Sequence, residues 1–181
     1  VFFPSYRLME DVLQVYEEEF SVDWVRCVCQ TPDMTEQERE GFLEEFQERE
    51  GTLVGFCVLG GIFSEGVDLT GESLIGAVIV GTGLPQIGSQ REILKEYYDK
   101  KNHCGFDYAY RYPGMNKVLQ AAGRVIRGQN DRGVVLLLDD RFSTPAYLRL
   151  FPEHWHHARI VYDSDGLSKI LHDFWSESSD Q

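Results

Sequence analysis

Leu53-Val54-Gly55-Phe56-Cys57-Val58-Leu59-Gly60-Gly61-Ile62-Phe63-Ser64-Glu65-Gly66-Val67-Asp68 is the stretch on which the fold turns. Residues 53–59 are apolar almost without interruption and run into a glycine pair, then into small and acidic residues. A short unbroken apolar run bounded by glycine fits a strand buried on both faces of a parallel sheet. Residues 74–80 repeat the pattern and also end on a glycine, Gly81.

Outward from these two strands, helix and strand patterns alternate. Val1-Phe2-Phe3 reads as a short buried strand, with Ser5 capping a helix that carries Leu8, Met9, Val12, Leu13, Tyr16 and Phe20 at spacings of three and four. Residues 24–29 read as a strand. Thr35-x-x-Glu38 is a capping box that opens a helix with Phe42, Leu43 and Phe46 inward. A helix over residues 89–101 carries Ile93, Leu94, Tyr97 and Tyr98; a loop holds Tyr112-Pro113-Gly114; and a helix is expected over residues 115–127. A strand at 134–138, a short helix from Ser143 and Pro145, a last strand at 159–162, a helix over 167–175 and a polar tail at 176–181 complete the chain. The alternation predicts an α/β fold, a doubly wound and mostly parallel sheet with helices on both faces, as one domain over residues 1–181.

Composition agrees. The 181 residues hold 43% apolar and 13% aromatic side chains, too many for a disordered or collagen-like chain. No apolar run approaches the roughly 18–20 residues that span a bilayer, so no membrane partner is expected. Cys27, Cys29, Cys57 and Cys104 form no Cys-x-x-Cys pair, which favours free thiols in a reducing compartment and an intracellular protein, cytoplasmic or nucleoid-associated in a prokaryote. Val1-Phe2-Phe3, without an initiator Met, reads as the start of a fragment of a longer protein. The formal charge of −13 argues against nucleic-acid binding through charge alone.

In such sheets ligands lie at the carboxyl ends of the strands. The loop from Gly60 to Asp68 there offers backbone amides to an anion and the Asp68 carboxylate to a hydroxyl or metal. Turn geometry alone would also explain its glycines. On a helix, Gln120, Arg124 and Arg127 fall at i, i+4 and i+7, so an amide and two guanidiniums share one face suited to phosphoryl oxygens. A solvated face with arginine ion pairs would give the same spacing. His154, His156 and His157 lack the spacing of a metal site, and no metal ligands are assigned.

Taken together, Gly-Ile-Phe-Ser-Glu-Gly-Val-Asp-Leu at 61–69 and Gln-Ala-Ala-Gly-Arg-Val-Ile-Arg at 120–127 resemble motifs V and VI of superfamily-two helicases. Phe2-Phe3-Pro4-Ser5-Tyr6 resembles motif IV, and Leu138-Asp139-Asp140-Arg141-Phe142 fits the iron-sulfur helicase group typified by XPD and DinG. The resemblance implies the second of two RecA-like domains, in a DNA helicase of repair or replication that translocates 5′ to 3′. ATP and Mg²⁺ would be held mainly by the N-terminal RecA-like domain; an iron-sulfur cluster would belong to the full-length protein and not to this part. The chain contains no Gly-x-x-x-x-Gly-Lys-Ser/Thr loop, so hydrolysis by this part alone is not expected.

By the same resemblance Arg124 and Arg127 would be arginine fingers, Gln120 would meet the γ-phosphate or attacking water, and Gly66 and Asp68 would face the nucleotide. Ser5, Tyr6, Gly61, Ser64 and Arg91 would line the path of single-stranded DNA. For Arg91, a surface arginine opening a helix is an equal reading. The partners implied are single-stranded DNA and the N-terminal domain of the same chain, in a monomer. The rival is a non-catalytic single-strand-binding or scaffold protein that keeps the fold.

The charge is unevenly spread. Residues 9–50 hold 14 acids and 3 bases, whereas residues 111–132 hold Arg111, Lys117, Arg124, Arg127 and Arg132 against Asp131 alone. The region expected to meet phosphate is locally basic.

Overall fold

A computed structural model describes residues 1–47, 51–63, 73–126 and 131–176. It contains two compact units, Val1–Asp140 and Arg141–Gln181. The first holds a five-stranded sheet of β1 (Phe2–Phe3), β2 (Val25–Cys29), β3 (Thr52–Val58), β4 (Gly76–Val80) and β5 (Val134–Leu138). All neighbours run parallel, in the order β2-β3-β1-β4-β5.

The two-residue β1 occupies the middle. Phe2 lies opposite Cys57 of β3 and Ile79 of β4, and Phe3 lies opposite Val58. Phe3 stacks on Phe56 at 5.7 Å between ring centroids, and both join Met9 in a buried cluster ringed by Tyr6, Leu13, Cys27 and Val54. Met9 and Leu13 belong to α1 (Tyr6–Val15), which a π-helical turn at Tyr16–Phe20 extends. Leu8, Val12 and Phe20, expected on the apolar face, are exposed.

Side chains alternate across a strand, so Gly55 points away from the Phe56 cluster. A Cβ there would stand 2.7 Å from Phe46 and 3.3 Å from Phe42, which are carried by α2 (Glu36–Glu45) and its C-cap. The missing side chain lets α2 lie on the opposite face of β3. Its start is local chemistry: the Thr35 hydroxyl accepts the Glu38 amide at 3.3 Å, and the Glu38 carboxylate accepts the Thr35 amide at 2.7 Å. The Thr35 amide, and after it the Thr35 hydroxyl at 2.8 Å, donate to the Glu38 carboxylate and hold it below its ordinary pKa. Phe42 also stacks on Phe63 at 4.1 Å.

Between β4 and β5 run α3 (Ser89–Asn102), a π-helical turn at Asp107–Arg111 and α4 (Tyr112–Ala122). Here the structure corrects the sequence reading twice. Tyr112-Pro113-Gly114 is not a loop but the first turn of α4, where proline's fixed φ suits a helix start. Gly114 serves close approach rather than a turn: a Cβ on it would lie 2.6 Å from the Thr82 carbonyl oxygen, and one on Gly83 would lie 2.7 Å from the Gly114 oxygen. Gly81 and Gly83 take the left-handed conformation, with φ of +78° and +66°. The helix also ends five residues before the expected limit, at Ala122.

A 3₁₀ turn at Asp140–Ser143 opens the second unit and leads to α5 (Pro145–Leu148), and α6 spans Ser164–Ser176. Phe142 and Tyr147 are buried and meet edge to face. Residues 159–162 do not form the expected strand, and Ile160 and Tyr162 are exposed. A β-prone run of that length makes no ladder without a partner edge. No helix among the described residues is long and apolar enough to cross a membrane.

Gly114→Ala should lower the unfolding free energy by about 2–3 kcal/mol, because the clash is with backbone that cannot swing aside. Gly41→Ala, with nothing within 4 Å of the added Cβ, should stabilise by up to about 1 kcal/mol. Urea unfolding of both variants checks the pair, and equal midpoints would refute the close-approach reading of Gly114.

Candidate functional site

The carboxyl ends of β1, β2 and β3 sit side by side and bring three of the expected residues together. The Ser5 hydroxyl, at the N-cap of α1, accepts the Leu8 amide at 3.3 Å. Tyr6 follows it. Across the end of β3 lies Gln30, the residue after β2, which is only 3% exposed. Its backbone amide continues the β2–β3 ladder to the Phe56 carbonyl at 2.8 Å. Its side-chain oxygen accepts the Val58 amide at 2.9 Å, and its side-chain nitrogen donates to the Tyr6 hydroxyl at 2.9 Å. The amide thus stands in for the ladder carbonyl that β2 no longer supplies.

Gly60 and Gly61 are wedged between two side chains. A Cβ on Gly61 would lie 2.9 Å from the Val58 oxygen and 3.0 Å from Gln30 Nε2; one on Gly60, whose φ is +77°, would lie 2.9 Å from Lys117 Cδ and 3.0 Å from its Nζ. The sequence suggested that this pair offers amides to an anion. The Gly61 amide is instead taken by the Val58 carbonyl at 3.0 Å, and the Lys117 ammonium of α4 lies against Gly60. Burial raises the pKa of the Tyr6 phenol; the Gln30 bond lowers it, while Cys57, Asp33 and Cys29 add smaller upward effects. Burial also pushes the Cys57 thiol up to about 12. Both groups keep their protons at neutral pH.

Helix α4 then runs back along the sheet, so Arg124 lies at the opposite end. Gln120 is exposed on α4. Past Ala122 the chain tightens, with the Arg124 amide bonded to the Ala121 carbonyl at 3.2 Å and the Val125 amide to that of Ala122 at 3.1 Å. This turn drives Val125 into the core, where its Cγ1 would be 2.3 Å from a Cβ on Gly133, just before β5. Gly123, a poor helix residue, stands where the helix stops. Gln120 and Arg124 therefore do not share a helical face as the spacing predicted. Arg127, Ser64, Gly66 and Asp68 lie outside the described residues.

Arg91 clasps α3 to the segment before α4, its Nη1 donating to the Ala109 carbonyl at 2.9 Å. The Tyr110 hydroxyl donates to Glu92, Asp99 accepts the Gly105 amide at 2.8 Å, and Tyr98 stacks on Tyr108 at 3.9 Å. Polar and ring contacts hold α3, and Ile93, Leu94 and Tyr97 are exposed.

Sequence reasoning missed Gln30 altogether and counted Lys117 only as charge. Gln30 sits in no glycine-rich or arginine-rich segment, and Lys117 lies in the basic stretch 111–132 but outside the motif at 120–127. Their significance comes from what lies across the strand ends, which local pattern does not carry.

Residues 1–158 match the helicase C-terminal domain family. The chain belongs to this family. Over 158 residues the helicase domain is 30% identical to the regulator of telomere elongation helicase 1 homolog of Drosophila melanogaster, covering 79% of this chain and 16% of that protein. It is 29% identical over 164 residues to the ATP-dependent DNA helicase CHL1 of Candida albicans, covering 80% of this chain and 19% of that protein. The chain therefore spans less than a fifth of the length of these relatives. A solved XPD helicase superimposes with a TM-score of 0.63 at 24% identity, over 82% of this chain and 26% of that structure, which shares the fold.

Arg91→Ala should remove the clasp to Ala109 and cost about 1–2 kcal/mol of stability. An unchanged urea midpoint would show that the bond does not hold α3 in place.

Proposed function

We propose that this domain is the second motor domain of an ATP-dependent DNA helicase of the XPD type. Gln120, Arg124 and Arg127 meet ATP and Mg²⁺ bound by the N-terminal RecA-like domain of the full-length protein, and the carboxyl edge of the sheet carries part of the single-stranded DNA path. The observation that carries the reading is the order of the motif-bearing segments on this parallel sheet, within a chain that belongs to the helicase C-terminal domain family.

The chemistry follows from the residue types. Phosphoryl transfer spreads charge over oxygens that a planar, permanently charged guanidinium stabilises, and an arginine finger contributes roughly 10³–10⁵ in rate. Gln120 orients the attacking water or the γ-phosphate. Gly66 and Asp68 contact the nucleotide, with the Asp68 carboxylate on the ribose. On the other side Ser5, Tyr6 and Ser64 hold the strand through their hydroxyls, with the Tyr6 ring beside a base, and Gly61, whose amide is held by Val58, lets Gln30 pack against this edge. The bond from Arg91 to Ala109 favours its clasping role over a DNA contact.

In the full-length protein, Arg127→Ala and Arg124→Ala should each cut DNA-stimulated ATP turnover by roughly two orders of magnitude or more, while nucleotide binding persists. Turnover and binding are read by phosphate release and by fluorescent-nucleotide titration. Wild-type turnover in Arg127→Ala would end the finger assignment; absence of any turnover in the wild type would favour the non-catalytic scaffold.

A further inference from the structure

Gln30 belongs to neither loop assigned to DNA, yet it bonds to Tyr6 of one and to Val58, three residues before Gly61 of the other. Its orientation is settled by chemistry. The Val58 amide is a donor, so the atom 2.9 Å from it must be the side-chain oxygen. The atom facing Tyr6 is then the NH₂ group, which can only donate. The Tyr6 oxygen must accept, and its single hydrogen is turned elsewhere.

No acceptor among the described residues takes that hydrogen. Tyr6 is partly exposed at the carboxyl end of β1, and its raised pKa keeps the phenol protonated at neutral pH. We infer that Gln30 is a positioning residue that fixes the Tyr6 hydroxyl as an outward hydrogen-bond donor, and that its acceptor is a phosphate oxygen of single-stranded DNA. The inference rests on the DNA path proposed above. A neutral donor suits this edge: with Asp33 near Tyr6 and a net charge of −13 on the chain, Lys117 attracts the strand only against an acidic background. A hydrogen bond acts only at contact.

The amide can be inverted without being lost. In Gln30→Glu one carboxylate oxygen still accepts from Val58, but the other accepts the Tyr6 hydrogen and leaves nothing to donate outward. Binding of a fluorescent oligo(dT) to the full-length protein, measured by anisotropy, should weaken about three- to tenfold in Gln30→Glu and similarly in Tyr6→Phe. The double variant should be no weaker than the weaker single. In DNA-stimulated turnover, the DNA concentration at half-maximal rate should rise by the same factor while the maximal rate stays, whereas a structural lesion would lower the urea midpoint and the maximal rate together.

Additive losses in the double variant would mean that the new charge acts directly on DNA, and would overturn the inference. Unchanged affinity in Tyr6→Phe, which leaves the Gln30–Val58 bond in place, would overturn it even if Gln30→Glu fails to fold. A wild type that binds no oligo(dT) would instead remove the DNA reading itself.

Discussion

A strand of two residues holds the centre of this sheet. Phe2 and Phe3 are bonded on both sides, to β3 and to β4, and backbone groups buried there have no water to turn to. Such a short strand contributes few ladder bonds, so its place depends on side chains: Phe3 is stacked on Phe56 and roofed by Met9, and Phe2 is buried on the other face. Everything at the carboxyl edge hangs from this arrangement. The chain leaves β1 at Pro4, caps α1 with Ser5 and delivers Tyr6 beside the ends of β2 and β3. Without the phenylalanine stack there would be no fixed point from which Gln30 could span to Tyr6.

The parts of this fold that were legible in the sequence are those decided within a few residues. The capping box at Thr35 and Glu38, the Ser5 cap and the apolar strands Thr52–Val58 and Gly76–Val80 follow from local bonds or from burial on two faces. Tyr112-Pro113-Gly114 misled because proline and glycine punctuate loops as a rule, whereas here proline starts a helix and glycine admits a neighbouring backbone. The end of α4 at Ala122 was hidden for a related reason. Arginine and isoleucine continue a helical pattern across Gly123, and the socket for Val125 beside Gly133 adds to that glycine's weakness to favour the tighter turn. The run at 159–162 has strand character but no ladder, since pairing is a property of two segments and not of one.

The candidate site divides in the same way. Ser5, Tyr6 and Gly61 converge, as their positions after neighbouring strands suggested, while Gln120 and Arg124 belong to the helix and turn that lead to the other end of the sheet. The glycine pair was read as a supplier of amides and proves to be a gap that two side chains fill. Lys117 and Gln30 could not be found by pattern, because one reaches its neighbours from α4 and the other across the end of β3. Charge behaves likewise: the acids of residues 9–50 dominate the total, and Lys117 matters at Gly60 because it is within contact distance.

Helix α4 is pinned at both ends by contacts with no slack. At its first turn Gly114 rests on the backbone of Thr82 and Gly83, and just beyond its last turn Val125 fills the hollow left by Gly133. A helix of 11 residues is about 16 Å long and stiff over that distance. It behaves as a strut. Neither seat leaves room for sliding, so the strut holds Lys117, midway along it, at a fixed reach from Gly60, one residue from the glycine that rests on Gln30.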